Sequence, residues 1–218
     1  MYKTIIKPFL DIFFALLLII LLCVPMLLIC IAVKVSSKGP VIFRQKRVGK
    51  DQKLFTMPKF RSMYINAPKN QPTHLLQSPD QWVTKVGKFL RKSSLDELPQ
   101  LFSILTLKMS FVGPRPALFN QEDLLEARRI NGSARVRPGL TGWAQINGRD
   151  ELPVEVKARL DGEYASAMQK GGITAFCMDC HCFFGTFLKV LSHEGVVEGG
   201  TGALSAQKEA DERELVKK

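Results

Sequence analysis

The sequence predicts an α+β fold, mostly helical, with short strands in a cytoplasmic domain carried on an N-terminal membrane segment. Three observations predict it. The run Ile12–Val33, IFFALLLIILLCVPMLLICIAV, has 22 residues and no charge; as a straight helix it would be about 33 Å long, roughly one hydrocarbon core. Val41–Val48 and Leu54–Phe60 are short, rich in β-branched and aromatic residues, and separated by Gly49-Lys50-Asp51, the pattern of a hairpin. The later segments repeat apolar residues at helical spacing. The 218 residues leave room for one domain and an appendage, and a formal net charge of +11 with a pI near 9.6 points to an anionic partner. That partner would be nucleic acid, anionic lipid or a phosphorylated small molecule.

No small-residue cleavage site follows the apolar run, and a signal peptide's apolar core is shorter, so the segment is expected to stay attached. Its flanks are basic on both sides: Lys3 and Lys7 before, then Lys34, Lys38, Arg44, Lys46 and Arg47 after. A spanning helix normally shows an asymmetry of Lys and Arg. Pro25, near the middle, removes an N–H and crowds the preceding turn. Two geometries fit these facts: a helix–break–helix hairpin that enters and leaves by one face, or a kinked single span.

After the turn Ser36–Pro40 and the hairpin, the polar, proline-punctuated stretch Ala67–Pro79 reads as a loop. Trp82–Lys92 reads as a helix with a basic face. Ser94–Leu105 reads as a helix opened by a capping box, Ser94 with Glu97, and striped by Leu95, Leu98, Leu101, Phe102 and Leu105. Phe119–Ile130, Leu152–Gln169 and Ile173–Leu191 are further helices. Arg135–Arg149, RVRPGLTGWAQINGR, is too irregular for one long element and too specific in composition for a linker. The residues from Gly195 onward are Gly-rich and then charged, the composition of a flexible tail. The resulting division is 1–38 membrane segment, 39–194 catalytic or binding domain, 195–218 tail.

Cysteine use fits a cytoplasmic location. Cys23 and Cys30 lie inside the apolar run as small hydrophobes. Cys177, Cys180 and Cys182 surround His181 in CMDCHC, but no second ligand cluster stands at finger or ribbon spacing. On a helix Cys177 and Cys180 are one turn apart while Cys182 points elsewhere.

The candidate chemistry lies in SLDELPQL, residues 94–101. Asp96 and Glu97 suit a helix's first turn, where the dipole keeps carboxylates ionised. They also suit chemistry: a hard cation such as Mg²⁺ takes phosphates together with one or two carboxylates, and a carboxylate can attack phosphorus. Capping and catalysis are compatible. The basic residues Lys59 and Arg61 of KFRSM, Arg91, Arg115 of GPRP, Arg137 and Arg149 sit at element ends or in Gly/Pro-rich loops. There, fork-shaped contacts to phosphate oxygens are natural. A duplex nucleic-acid site would show a recognisable nucleic-acid-binding motif, and none appears in the sequence. The lysines nearest the apolar run also suit an anionic membrane surface.

GPVIFRQKRVG, KFRSM, SLDELPQL, SFVGPRPAL, RVRPGLTGWAQINGR and DGEY, in this order behind a basic-flanked apolar segment, resemble the bacterial sugar transferase family. These are the monotopic phosphoglycosyl transferases that begin glycan assembly on polyprenol phosphate. The resemblance runs from about Lys3 to Gly195 and is to the minimal form. It implies transfer of a sugar-1-phosphate from a UDP-sugar to undecaprenyl phosphate, with release of UMP. It makes Asp96 the nucleophile and Glu97 its partner, with Mg²⁺ (magnesium) against both. Lys59, Arg91, Arg115 and Arg149 would hold phosphate oxygens, with Arg61 and Arg137 in the same basic motifs, and Asp161 and Tyr164 of the Asp-x-x-Tyr motif would lie near the nucleotide. It maps the family's membrane break to Pro25, which favours the re-entrant hairpin, and implies a monotopic protein on the cytoplasmic face of the bacterial inner membrane, against its phospholipid. Ser62 stands where the family often has threonine, and CMDCHC replaces an aliphatic and charged face. Direct transfer in a ternary complex and a non-catalytic, membrane-tethered anion binder are the alternatives.

Overall fold

The computed structural model describes residues 1–67, 79–148 and 152–191. Arg149, most of the predicted 67–79 loop and the 195–218 tail lie outside the described residues. The chain opens with a π turn, Tyr2–Ile6, that runs into helix α1, Lys7–Leu21. Tyr2–Leu21 is apolar and long enough to cross a membrane. At Leu22 the backbone leaves helical geometry (φ −99°, ψ 7°), and α2 then runs Cys23–Ser36. The break therefore falls at Leu22, one turn ahead of Pro25, which has no N–H to return to the Leu21 carbonyl.

The predicted hairpin is present as β1, Ile42–Val48, and β2, Leu54–Phe60, antiparallel with Ile42 opposite Phe60 and Val48 opposite Leu54. Its turn is tighter than a simple loop: Asp51 and Gln52 both take positive φ. The short strand β4, Ala117–Leu118, adds to β1 to give the order β2-β1-β4. A second sheet has two parallel strands, β3 (Ser110–Val112) and β5 (Gly139–Thr141). The irregular 135–149 stretch supplies β5 and the one-turn helix α6, Trp143–Ile146.

The helices after the hairpin are α3 (Lys85–Lys92), α4 (Leu101–Leu105), α5 (Glu122–Ile130), α7 (Val154–Lys170) and α8 (Gly172–Leu191). Three boundaries differ from the sequence reading. The predicted Trp82–Lys92 helix starts only at Lys85, because Val83 pairs with Met63 and Thr84 caps α3 by accepting from the Gly87 amide at 2.9 Å. The predicted Ser94–Leu105 helix begins as a 3-10 helix, Leu95–Gln100, since Pro99 has no amide to give the Leu95 carbonyl. The predicted Phe119–Ile130 helix starts at Glu122, after Gln121 has folded back to accept from the Leu118 amide.

Both halves of the N-terminal segment pack on the same domain. Ala15 of α1 lies with Met57, Leu101, Ile104 and Met109 in one buried cluster. Val33 of α2 lies with Phe60 and Leu90 in another. A third cluster joins Tyr2 to Val112, Tyr164, Ala165, Met168 and Cys182. The opposite faces of α1, α2 and α8 expose large apolar side chains, among them Phe9, Phe13, Leu28, Ile173, Phe184 and Phe187.

Candidate active site

The two acids sit where three segments converge. Ser94 takes the left-handed conformation (φ 56°), makes no side-chain cap, and turns the chain directly into Asp96 and Glu97. The capping box expected from Ser94 and Glu97 is thus absent; the Glu97 carboxylate instead accepts from Lys59 Nζ at 2.5 Å. Arg115 Nη2 lies 3.6 Å from the same Glu97 oxygen. Asp96, 8% exposed, accepts no hydrogen bond among the described residues. It nevertheless feels the charges of Lys59, Arg91 and Arg115. Burial pushes the Asp96 carboxyl up from its ordinary value, Lys59 opposes that, Glu97 adds to it, and Arg91 and Arg115 oppose it again. At Asp96 the expected help of a helix's first turn is thus outweighed, desolvation being the largest effect.

Each basic residue reaches the dyad by a local device. Lys59 projects from the end of β2, opposite Phe43. Arg91 ends α3, and its Nε donates to Ser62 Oγ at 3.0 Å. α3 lies close to KFRSM because residue 87 is glycine: a Cβ there would stand 1.9 Å from the Ser62 carbonyl oxygen. Arg115 is carried by the loop after β3, where Gly113 and Gly139 touch backbone to backbone, a Cβ on Gly139 coming within 2.1 Å of Gly113 N. Arg137 is half-buried and lends its carbonyl to that contact, while no ion pair joins its side chain to the dyad among the described residues.

Three other residues of the sequence reading stand elsewhere. Arg61 is buried at the end of α2, donating to the carbonyls of Val33, Ser37 and Lys38 at 3.3, 2.6 and 3.0 Å. Its two Nη atoms are taken up by these acceptors rather than turned to the dyad, while Nε is buried with no partner among the described residues. Asp161, 1% exposed, accepts from Arg128 Nε at 2.8 Å and Nη2 at 2.6 Å, a buried clamp between α5 and α7. The Tyr164 hydroxyl, equally buried, lies 2.8 Å from both the Val112 carbonyl and Asp179 Oδ1. Burial and Asp179 push this hydroxyl well above its ordinary value, so it stays protonated. An Asp-x-x-Tyr pair one helical turn apart shares a face, and that face looks into the core. In CMDCHC, Cys182 is buried and its thiol is pushed up to about 12, while Cys177 is exposed, so the three sulfurs do not converge.

The sequence reading gave no role to three residues that the structure engages. Ser62, noted there only as standing where the family often has threonine, accepts from Arg91 Nε and orients it. Asp179 accepts from Tyr2 (2.7 Å) and Lys7 (2.8 Å), tying the N-terminus to α8. Asp11 accepts the Phe111 amide at 3.1 Å. The signal for the last two was an acid inside an otherwise apolar helix.

A buried, uncapped carboxylate ringed by one lysine and two arginines can attack a phosphorus whose oxygens those cations hold. The comparisons show which family the chain resembles. The bacterial sugar transferase profile matches residues 2–193. A UDP-glucose:undecaprenyl-phosphate glucose-1-phosphate transferase of Escherichia coli K12 is 47% identical over 163 residues, 71% of this chain and 34% of that protein. A UDP-N-acetylgalactosamine-undecaprenyl-phosphate N-acetylgalactosaminephosphotransferase of Aeromonas hydrophila is 41% identical over 65% of this chain and 34% of its own length. The chain thus spans about a third of those relatives. An uncharacterised sugar transferase of Bacillus subtilis, EpsL, is 37% identical over 193 residues, 88% of this chain and 90% of that one. With the profile covering nearly every described residue, the chain belongs to the bacterial sugar transferase family.

Proposed function

We propose that this chain moves a sugar-1-phosphate from a UDP-sugar to undecaprenyl phosphate and releases UMP, through a phosphosugar bonded to Asp96. The observation that carries the reading is Asp96 itself: a buried carboxylate with no hydrogen-bond partner among the described residues, beside Lys59, Arg91 and Arg115. In the first step an Asp96 oxygen attacks the sugar-bearing phosphorus and the bond to the UMP oxygen breaks. In the second an oxygen of the lipid phosphate attacks the same phosphorus and the Asp96–phosphorus bond breaks. Both the leaving UMP and the attacking lipid phosphate are already anions, so neither step requires a strong general base.

Glu97, held by Lys59, keeps that lysine and Arg115 gathered at the phosphates. The adjacent carboxylates are a donor set of hard oxygens that fits Mg²⁺: Asp96 and Glu97 would hold it, and it would neutralise diphosphate charge. The apolar faces of α1, α2 and α8 support a seat in one leaflet, and the bend at Leu22 supports a hairpin that re-enters the cytoplasmic face. That seat would hold the dyad where a lipid phosphate can reach it without leaving the bilayer.

The test is a trap. Full-length protein is incubated with UDP-sugar labelled in the sugar, magnesium and no lipid acceptor, after UDP-glucose, UDP-galactose, UDP-N-acetylhexosamines and UDP-diaminohexoses have been screened for UMP release. A labelled protein that yields its label to added undecaprenyl phosphate is expected, and Asp96→Asn should carry none. An active enzyme that never takes label would assign direct transfer instead.

A further inference from the structure

We infer that Asp11, the acid within helix α1, is a positioning residue for Arg115; this rests on the reading above that Arg115 holds substrate phosphate. A carboxylate in an apolar membrane-facing helix is costly and needs a purpose. Asp11 is turned from the exposed face: it is 4% exposed and shares its buried side with Pro8 and Ala15. Its one side-chain bond to backbone among the described residues is to the Phe111 amide, at 3.1 Å.

That amide is the unpaired edge of a two-stranded sheet. Strand β3 gives its Ser110 amide to the Pro138 carbonyl on the β5 side. Neighbouring amides along a strand point in opposite directions, so the next one, on Phe111, faces away from β5. Asp11 stands where a third strand would stand. Four residues further on, past the Gly113–Gly139 contact, the loop that continues this strand delivers Arg115 to within 3.6 Å of Glu97. The other grips on this segment, Tyr164 on Val112 and Thr141 on Gly113, belong to the domain. Beside the apolar packing of Ala15 on Met109 and Phe111, Asp11 gives this segment its hydrogen bond to α1, so the lie of the anchor bears on the reach of the phosphate-holding arginine.

The carboxylate also faces the Ser110 hydroxyl: Asp11 Oδ2 and Ser110 Oγ are both buried and have no partner other than each other. An asparagine in the same pose would keep Oδ1 for Phe111 and could offer its amide to Ser110, which makes Asp11→Asn the conservative variant.

The experiment is a double-mutant cycle on full-length protein in vesicles, read as kcat/KM for UMP release from the UDP-sugar the screen selects, with near-UV circular dichroism as the fold check. Asp11→Ala removes the acceptor and Asp11→Glu displaces it by one methylene. Each is expected to lose about 10- to 100-fold, the scale of a misplaced group. Asp11→Asn should stay within about threefold of wild type, since it keeps the acceptor. In an Arg115→Ala background the Asp11 changes should cost almost nothing more, because the group they position is gone. Losses that multiply in the double variants, with Arg115→Ala itself impaired, would overturn the inference and leave the phosphate role of Arg115 standing. Wild-type turnover by Asp11→Ala would overturn it as well. Arg115→Ala at the wild-type rate would remove both. If Asp11→Ala fails to fold, the Asp11→Glu cycle decides on the same criteria.

Discussion

Asp96 pairs a costly environment with a reactive one. Its carboxyl is pushed up by burial, and the folded state therefore binds its proton more tightly than the unfolded chain does. Stability from this group is then lost as pH rises from the unfolded value, about 3.9, through the raised folded value, the penalty falling on the ionised carboxylate. Asparagine has nearly the same shape and no charge to desolvate. Asp96→Asn should thus raise the thermal midpoint at pH 7.5 by about 2–4 °C, the equivalent of ~1 kcal/mol in a chain of this size. The difference should shrink towards pH 4, while UMP release falls by about 10³-fold or more at every pH. Calorimetry of both proteins across pH checks it; an equal midpoint at neutral pH would mean that the buried charge imposes no strain on the fold.

At the scale of elements, α3 and the KFRSM stretch form one unit around Gly87. Glycine to alanine inside a helix normally stabilises, by up to about 1 kcal/mol. Here the new Cβ would meet the Ser62 carbonyl oxygen at 1.9 Å, and backbone cannot step aside as a side-chain end can. Gly87→Ala should therefore destabilise by about 1–3 kcal/mol and loosen Arg91 from Ser62, read as a lower denaturation midpoint together with a raised KM for the UDP-sugar. The sequence made some of this legible. The β1–β2 hairpin followed from residue type and a turn signal, and Lys59, Arg91 and Arg115 were singled out as cations at element ends or in a Gly/Pro-rich loop. Ser94 was misread because a capping box and a left-handed turn use the same letters, and only the path of the chain into Pro99 separates them. Asp161 and Tyr164 were assigned to the nucleotide through the resemblance of DGEY to the Asp-x-x-Tyr motif, and i, i+3 spacing fixes a shared face but not which way it looks. Arg61 was misplaced for a related reason: β2 ends at Phe60, so alternation no longer sets its direction, and its acceptors lie 23 to 28 residues away along the chain.

Across the whole molecule, the N-terminal segment is fastened at both ends. Tyr2 and Lys7 hold Asp179 at one end, and Arg61 holds the last carbonyls of α2 at the other. An unbroken helix from Lys7 to Ser36 would be about 45 Å long, and the bend at Leu22 lets its two ends meet one domain. Arg61 also lies two residues from Lys59, so the clamp on the anchor and the cation on Glu97 share one short backbone. Removing the guanidinium leaves carbonyls at a helix C-terminus without donors, in a place water reaches poorly. Arg61→Ala should lose roughly 2–4 kcal/mol and expose the Ser37-Lys38-Gly39 joint, seen as a lower midpoint and faster tryptic cleavage after Lys38 in vesicles. Arg61→Lys should recover only part, because one ammonium cannot span acceptors that the planar fork holds together. At a temperature where all three proteins are folded, KM for the UDP-sugar should match wild type. A raised KM with an unchanged midpoint would return Arg61 to the substrate and make the anchor's C-terminal clamp incidental.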